Sequence, residues 1–264
     1  IVAVLFSLRR KLEEKKKEKK RRATPKKSRK LTTGVILDNV SHDELLNFVR
    51  QYAKTNRNFA LALKARFTSN VSVIESKDKY LQLLDTTLSV ARKPDRTISL
   101  RGSRKIIKVL LEMHVQIEEA IAKAYYAEAL TMAQSIIEKI SPVLRKVEKL
   151  ENELREQVTQ AFDALRAVVA AGPAPQLLAG LWEYLLGECR KLLYRNNGID
   201  LHFYRLLAHL ADDASRRRQL AALLSEQTHR YRVEDRNAAP LLILQTRLLE
   251  KEGQTEAAQN ILLD

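Results

Sequence analysis

RKIIKVLLEMHVQIEEAIAKA, residues 104–124, decides the fold. Ile106, Ile107, Leu110, Leu111, His114, Ile117 and Ile121 recur at three- and four-residue intervals, which places an apolar stripe along one helix. The next stretch, AYYAEALTMAQSIIEKI (124–140), keeps that period and predicts the antiparallel partner of a helical hairpin. On the N-terminal side lies a polar loop, DRTISLRGS (95–103), in which Ser103 is the expected N-cap. On the other side Ser141-Pro142 restarts a helix as N-cap and first-turn proline, and the pattern predicts the longest helix over 143–170.

Further out the pattern repeats. Ser41 and Glu44 form an S-x-x-E capping box flanked by Val40 and Leu45, opening a helix with Leu46, Val49, Tyr52 and Ala53 on its apolar face. A short helix with Phe59, Leu61, Leu63 and Phe67 follows, then one over 77–91 that ends before Pro94. Gly172-Pro173-Ala174-Pro175 carries the strongest breaker chemistry, so a subdomain boundary is expected there. Beyond it the sequence predicts a helix over 176–195 stopped by Asn196-Asn197-Gly198 and one capped by Asp200. Helices over 214–230 and 236–251 follow, with a short last one after Gly253.

No segment alternates with period two, and seven Gly and six Pro are few for this length. The expected fold is all-α: antiparallel helical hairpins packed as a bundle or short TPR-like array, with a basic N-terminal linker. AYYAEAL (124–130) and EGQTEAAQNIL (252–262) are similar to the inter-helix turn of tetratricopeptide repeats, although their separation is off the 34-residue period. The expected organisation is a helix end at 1–12, a flexible basic linker at 13–37, and helical subdomains at 38–172 and 173–264.

The charge is concentrated in one place. The tract holds Arg9, Arg10, Lys11, Lys15, Lys16, Lys17, Lys19, Lys20, Arg21, Arg22, Lys26, Lys27, Arg29 and Lys30. With three Glu these give +11 of the chain's +15, and the remaining 33 basic and 29 acidic residues nearly balance. Such a tract can neutralise several phosphates with counterion release, which makes nucleic acid its expected partner. It has no aromatic side chains, so base stacking is not offered. The same chemistry serves an anionic membrane surface, a nuclear-import signal or a plain spacer.

Catalytic and metal chemistry find little support. No Gly-rich phosphate loop can be written. His202 and His209 are seven residues apart, but no Cys or paired carboxylate accompanies them, and Asp212-Asp213 reads as a solvated pair. Glu118, Glu119 and the carboxylates of 148–156 are spaced for i,i+4 ion pairs. Cys189 reads as a small apolar side chain in a helix; as the only cysteine it allows no intrachain disulfide and suits a reducing, cytoplasmic setting. No apolar run reaches the roughly 18–20 residues that span a bilayer. Neither an enzyme nor a small-molecule substrate is expected; a protein partner on the helical surface is.

IVAVLFSLRRKLEE (1–14), NVSHDELLNFVRQYAKTNRNFALALKARF (39–67) and YYAEALTMAQSIIEKISP (125–142) together resemble the helical region that follows the finger in SWIM-type zinc-finger proteins. In that family a Cys-x-Cys…Cys-x-His finger is followed by an apolar helix, whose place Ile1–Leu8 would take. The family's cysteines and histidine are absent here, so no ligand transfers to any residue of this chain. The resemblance implies that the chain begins just after a finger, that zinc sits in the finger, and that DNA or protein is bound. The apolar opening followed by RRK fits equally the cytoplasmic end of a membrane helix, which would make this a TPR-like adaptor behind a membrane anchor.

Overall fold

The computed structural model describes residues 32–68 and 76–263. These form thirteen α-helices and one 3-10 helix, with two isolated bridges and no strand among the described residues. All-α is the observed class. The chain divides into two compact units after Thr55, each described by itself.

The first unit contains α1 (Thr33–Leu37) and α2 (His42–Thr55). The linker expected over 13–37 therefore includes a helical turn at its end, where the Val35 amide donates to Thr32 Oγ1 at 3.4 Å. The capping box forms as read. The Ser41 amide donates to Glu44 Oε2 at 3.1 Å, and the Glu44 amide to Ser41 Oγ at 3.3 Å. No residue of α2 is buried, and Phe48 and Tyr52 stack on its exposed face with ring centroids 5.6 Å apart.

The second unit runs through α3 (Arg57–Phe67), α4 (Ser76–Ala91), α5 (Leu100–Ala122) and α6 (Tyr126–Ile140) to the 3-10 helix Ser141–Lys146. It continues with α7 (Glu151–Ala170), α8 (Pro175–Cys189), α9 (Leu192–Asn196), α10 (Asp200–Leu210), α11 (Ala214–Val233), α12 (Ala239–Lys251) and α13 (Thr255–Leu263). Helix α6 packs against α4, α5 and α7, and α10 packs against α8, α11 and α12 while touching α7. Most contacts join helices one or two steps apart in the chain, as in an array of hairpins.

Gly172-Pro173 does end α7, but the core is not interrupted there. One cluster of buried residues extends from Leu61 to Leu248. Phe162 of α7 stacks on His202 of α10 at 5.0 Å and meets Phe203 edge-on at 4.8 Å. The expected boundary is a helix break inside a continuous core.

Four inter-helix turns share one solution. After α5 the Tyr125 amide donates to Ala120 O and the Ala124 amide to Ile121 O; the same pair of bonds recurs at Ile199/Gly198, Arg236/Asp235 and Gln254/Gly253. This 6→1 and 5→2 pairing satisfies the last carbonyls of each helix and requires a left-handed residue between. That residue is Gly at 198 and 253 but Ala124 (φ 58°) and Asp235 (φ 53°) elsewhere. Ala124→Gly is accordingly expected to raise stability by about 1 kcal/mol, seen as an increase of roughly 2–4 °C in Tm; a decrease would contradict the turn assignment.

Three elements differ from expectation. Ser99, not Ser103, caps α5: its Oγ accepts from the Gly102 amide at 3.2 Å, while Ser103 is buried one turn in. The helix expected over 143–170 is split, because the Ile98 amide donates to Lys146 O at 2.9 Å and Ile98 O accepts from the Glu148 amide at 3.0 Å. That pairing draws Val147 into extended backbone, and Leu150 turns left-handed (φ 69°) before α7 starts. Among the described residues the longest helix is α5, with 23 residues. Finally, the helix expected over 176–195 breaks at Arg190–Lys191 into α8 and α9.

Candidate anion-binding surfaces

The basic tract, residues 9–30, lies outside the described residues. Within the second unit the structure assembles two further cationic surfaces.

The first is a groove of about 410 Å³ between α3 and α5. Its floor is Leu61, Ala62, Ala65 and Val109, and its rim is Arg101, Arg104, Lys105 and Lys108. Positions i, i+3, i+4 and i+7 share a helix face, so these cations form a row of about 10 Å along α5. In sequence Glu112 stands four residues after Lys108, where an intrahelical pair is expected. The structure gives Glu112 to Arg66 of α3 instead, at 3.0 Å, and Arg66 also approaches Glu119 at 3.5 Å. Those carboxylates raise the Arg66 pKa, Glu112 most of all. Among the described residues no carboxylate pairs with Arg101, Arg104, Lys105 or Lys108.

The second is an open cleft of about 690 Å³ bordered by α7, α10 and α12. Arg166, Arg205, His209, Arg247 and Lys251 reach it from these three helices, and none of its lining residues is acidic. Arg166 pairs with Asp163 on its own helix. Arg205, Arg247 and Lys251 have no ion pair among the described residues. The crowding is visible in the neighbours: burial and the charge of Arg205 lower the Arg166 pKa. Burial, then Arg166 and Arg205, push His202 down to about 4, so it is neutral at pH 7.

His202 is stacked on Phe162, whereas His209 is exposed at the cleft. Cys189 is buried, its thiol donates to Leu186 O at 3.4 Å, and burial pushes its pKa up to about 12, far from a reactive thiolate. Asp213 is no idle surface charge: it caps α11 by accepting from the Arg216 amide at 2.8 Å, while Asp212 pairs with Arg216 at 3.1 Å. Of the carboxylates spaced for pairing, Glu151 meets Arg155 at 2.8 Å and Glu119 meets Lys123 at 4.0 Å. No group of three or more His, Cys, Asp or Glu among the described residues is placed to hold a metal. No helix among them is long and apolar enough to cross a membrane.

Neither cationic surface is evident from the sequence alone, although each leaves a trace there. The row on α5 reads as R-x-x-R-K-x-x-K (101–108). Arg205/His209 and Arg247/Lys251 are i,i+4 pairs of basic residues, a spacing that costs stability on an isolated helix when both are charged. That Arg166, Arg205 and Arg247 meet is tertiary information. No family model, curated protein or solved structure matches the chain.

Proposed function

We propose that the chain is a non-catalytic binding module that docks on nucleic-acid phosphates through the basic tract 9–30 and the groove between α3 and α5, while its helical surface holds a protein partner. The row Arg101, Arg104, Lys105 and Lys108, without a carboxylate partner among the described residues, carries the reading. Like charges one turn apart repel by a few tenths of a kcal/mol per pair, and a polyanion laid along the groove removes that cost. The groove offers a row of cations, with Asn58 and Glu112 as the other polar side chains of its lining, and such a row supports affinity for the phosphate backbone.

Leu111 and Val115, exposed one turn apart on α5, offer an apolar patch to a protein partner. The resemblance of 39–67 and 125–142 to the helical region of SWIM-type proteins supports the same reading. On it, zinc belongs to the cysteines and histidine of a finger and not to this chain.

The test is the affinity of the whole chain for a fluorescently labelled 20-base-pair duplex, before and after replacing Arg101, Arg104, Lys105 and Lys108 together by Gln. The expected result is a loss of about a hundredfold at 50 mM salt, equal for duplexes of unrelated sequence. Unchanged affinity in the quadruple variant would remove the groove from the proposal.

A further inference from the structure

The cleft bordered by α7, α10 and α12 is built unlike the groove. The groove cations form a row on a single helix. In the cleft Arg166, Arg205, Arg247 and Lys251 converge from three helices on one concavity. Its volume, about 690 Å³, lies inside the roughly 300–1,000 Å³ of sites for small organic ligands. Apart from His209 the remaining wall is apolar: Pro240 and Ile243 stand beside the cations, and Ile243 is left 46% exposed.

The charge count favours a compact ligand. A nucleic-acid backbone brings one negative charge per phosphodiester, spread along its length. Four cations around one concavity match instead a group with several charges at one point, such as a polyphosphate or a terminal phosphate of nearly two charges. Guanidinium groups suit it geometrically, because their N–H fork matches two phosphate oxygens at once. Asp163 neutralises part of Arg166, which leaves Arg205, Arg247 and Lys251 to supply the net attraction.

We infer that this cleft binds a small phosphorylated organic anion, its phosphates held by Arg166, Arg205, Arg247 and Lys251 and its carbon skeleton laid against Pro240 and Ile243. This goes beyond polymer binding in the groove and supplies a small ligand where the sequence predicts none.

The probes are adenosine triphosphate and inorganic tripolyphosphate, titrated calorimetrically into the whole chain at fixed ionic strength without divalent cations. Adenosine triphosphate is expected to bind several-fold more tightly than tripolyphosphate, because only it can use the apolar wall. Each cation removed is expected to cost about tenfold, so R205Q/R247Q loses about a hundredfold and K251Q about tenfold. All three side chains are exposed, and unchanged helical circular dichroism verifies folding. The quadruple groove variant is expected to keep its nucleotide affinity while losing duplex affinity, which separates failure here from failure of the function proposed above. Equal losses in cleft and groove variants would mean diffuse screening and overturn the site. Equal affinity for the two probes, no binding of adenosine triphosphate at millimolar concentration, or a cleft that serves only the duplex would overturn it as well.

Discussion

Phe162→Ala is expected to destabilise the second unit by about 3–5 kcal/mol, lowering Tm by roughly 10 °C. Phe162 is fully buried in α7, between the ring of His202 and the edge of Phe203, both on α10. Phe203 in turn packs against Tyr194 at 4.7 Å, so truncation opens a cavity in an aromatic cluster drawn from three helices. The packed backbones of α7 and α10 cannot close around the space, and the cavity cost adds to the lost burial. Because the cluster bridges the break at Gly172-Pro173, residues on both sides should lose stability in the same transition. Differential scanning calorimetry of wild type and variant reads this directly. A second transition left in place, or a shift below about 2 °C, would mean that the two sides fold independently.

Gly102→Ala should destabilise, against the ordinary sign of that exchange. In a helix Ala is favoured over Gly by about 1 kcal/mol. Gly102, however, lies in the first turn of α5, where the last carbonyl of α4 comes very close. A Cβ there would sit 2.5 Å from Ala91 O and 3.1 Å from Ile98 Cγ2. The first neighbour is backbone and cannot swing away, and Ile98 is pinned by its bonds to Lys146 and Glu148. Overpacking of this kind costs about 1–3 kcal/mol, enough to outweigh the propensity gain. The midpoint of urea unfolding should fall with no change in slope. A higher midpoint would show that α4 and α5 can separate without cost, contrary to the close packing at this seam.

The same seam explains what could and could not be read in the sequence. Local signals that are satisfied locally were legible. The Ser41/Glu44 box forms both of its bonds, and the stripe from Ile106 to Ile121 faces the core except at Leu111, which is exposed. The stop after Asn197 uses Gly198 in the left-handed turn that the composition predicts. Ser103 was misleading because two serines four residues apart both suit a cap, and it is Ser99 whose Oγ accepts from the Gly102 amide. The split of the helix expected over 143–170 depends on Ile98, some fifty residues away, which no local pattern contains. For the cationic surfaces, the tract at 9–30 is visible as composition. The row on α5 passes for ordinary surface charge until Glu112 is seen to serve Arg66. The cleft exists only once α7, α10 and α12 are packed.

The proposed binding of nucleic-acid phosphates by the cations of the α5 groove and the basic tract is electrostatic. Its most direct test is the salt dependence of duplex affinity, measured by fluorescence anisotropy between 50 and 200 mM salt for the wild-type chain and for R101Q/R104Q/K105Q/K108Q. Each phosphate contact contributes about 0.9 to the slope of log affinity against log salt, so the wild-type slope should exceed that of the variant by roughly 3 to 4. Identical slopes, or a duplex affinity that does not respond to salt, would contradict the account.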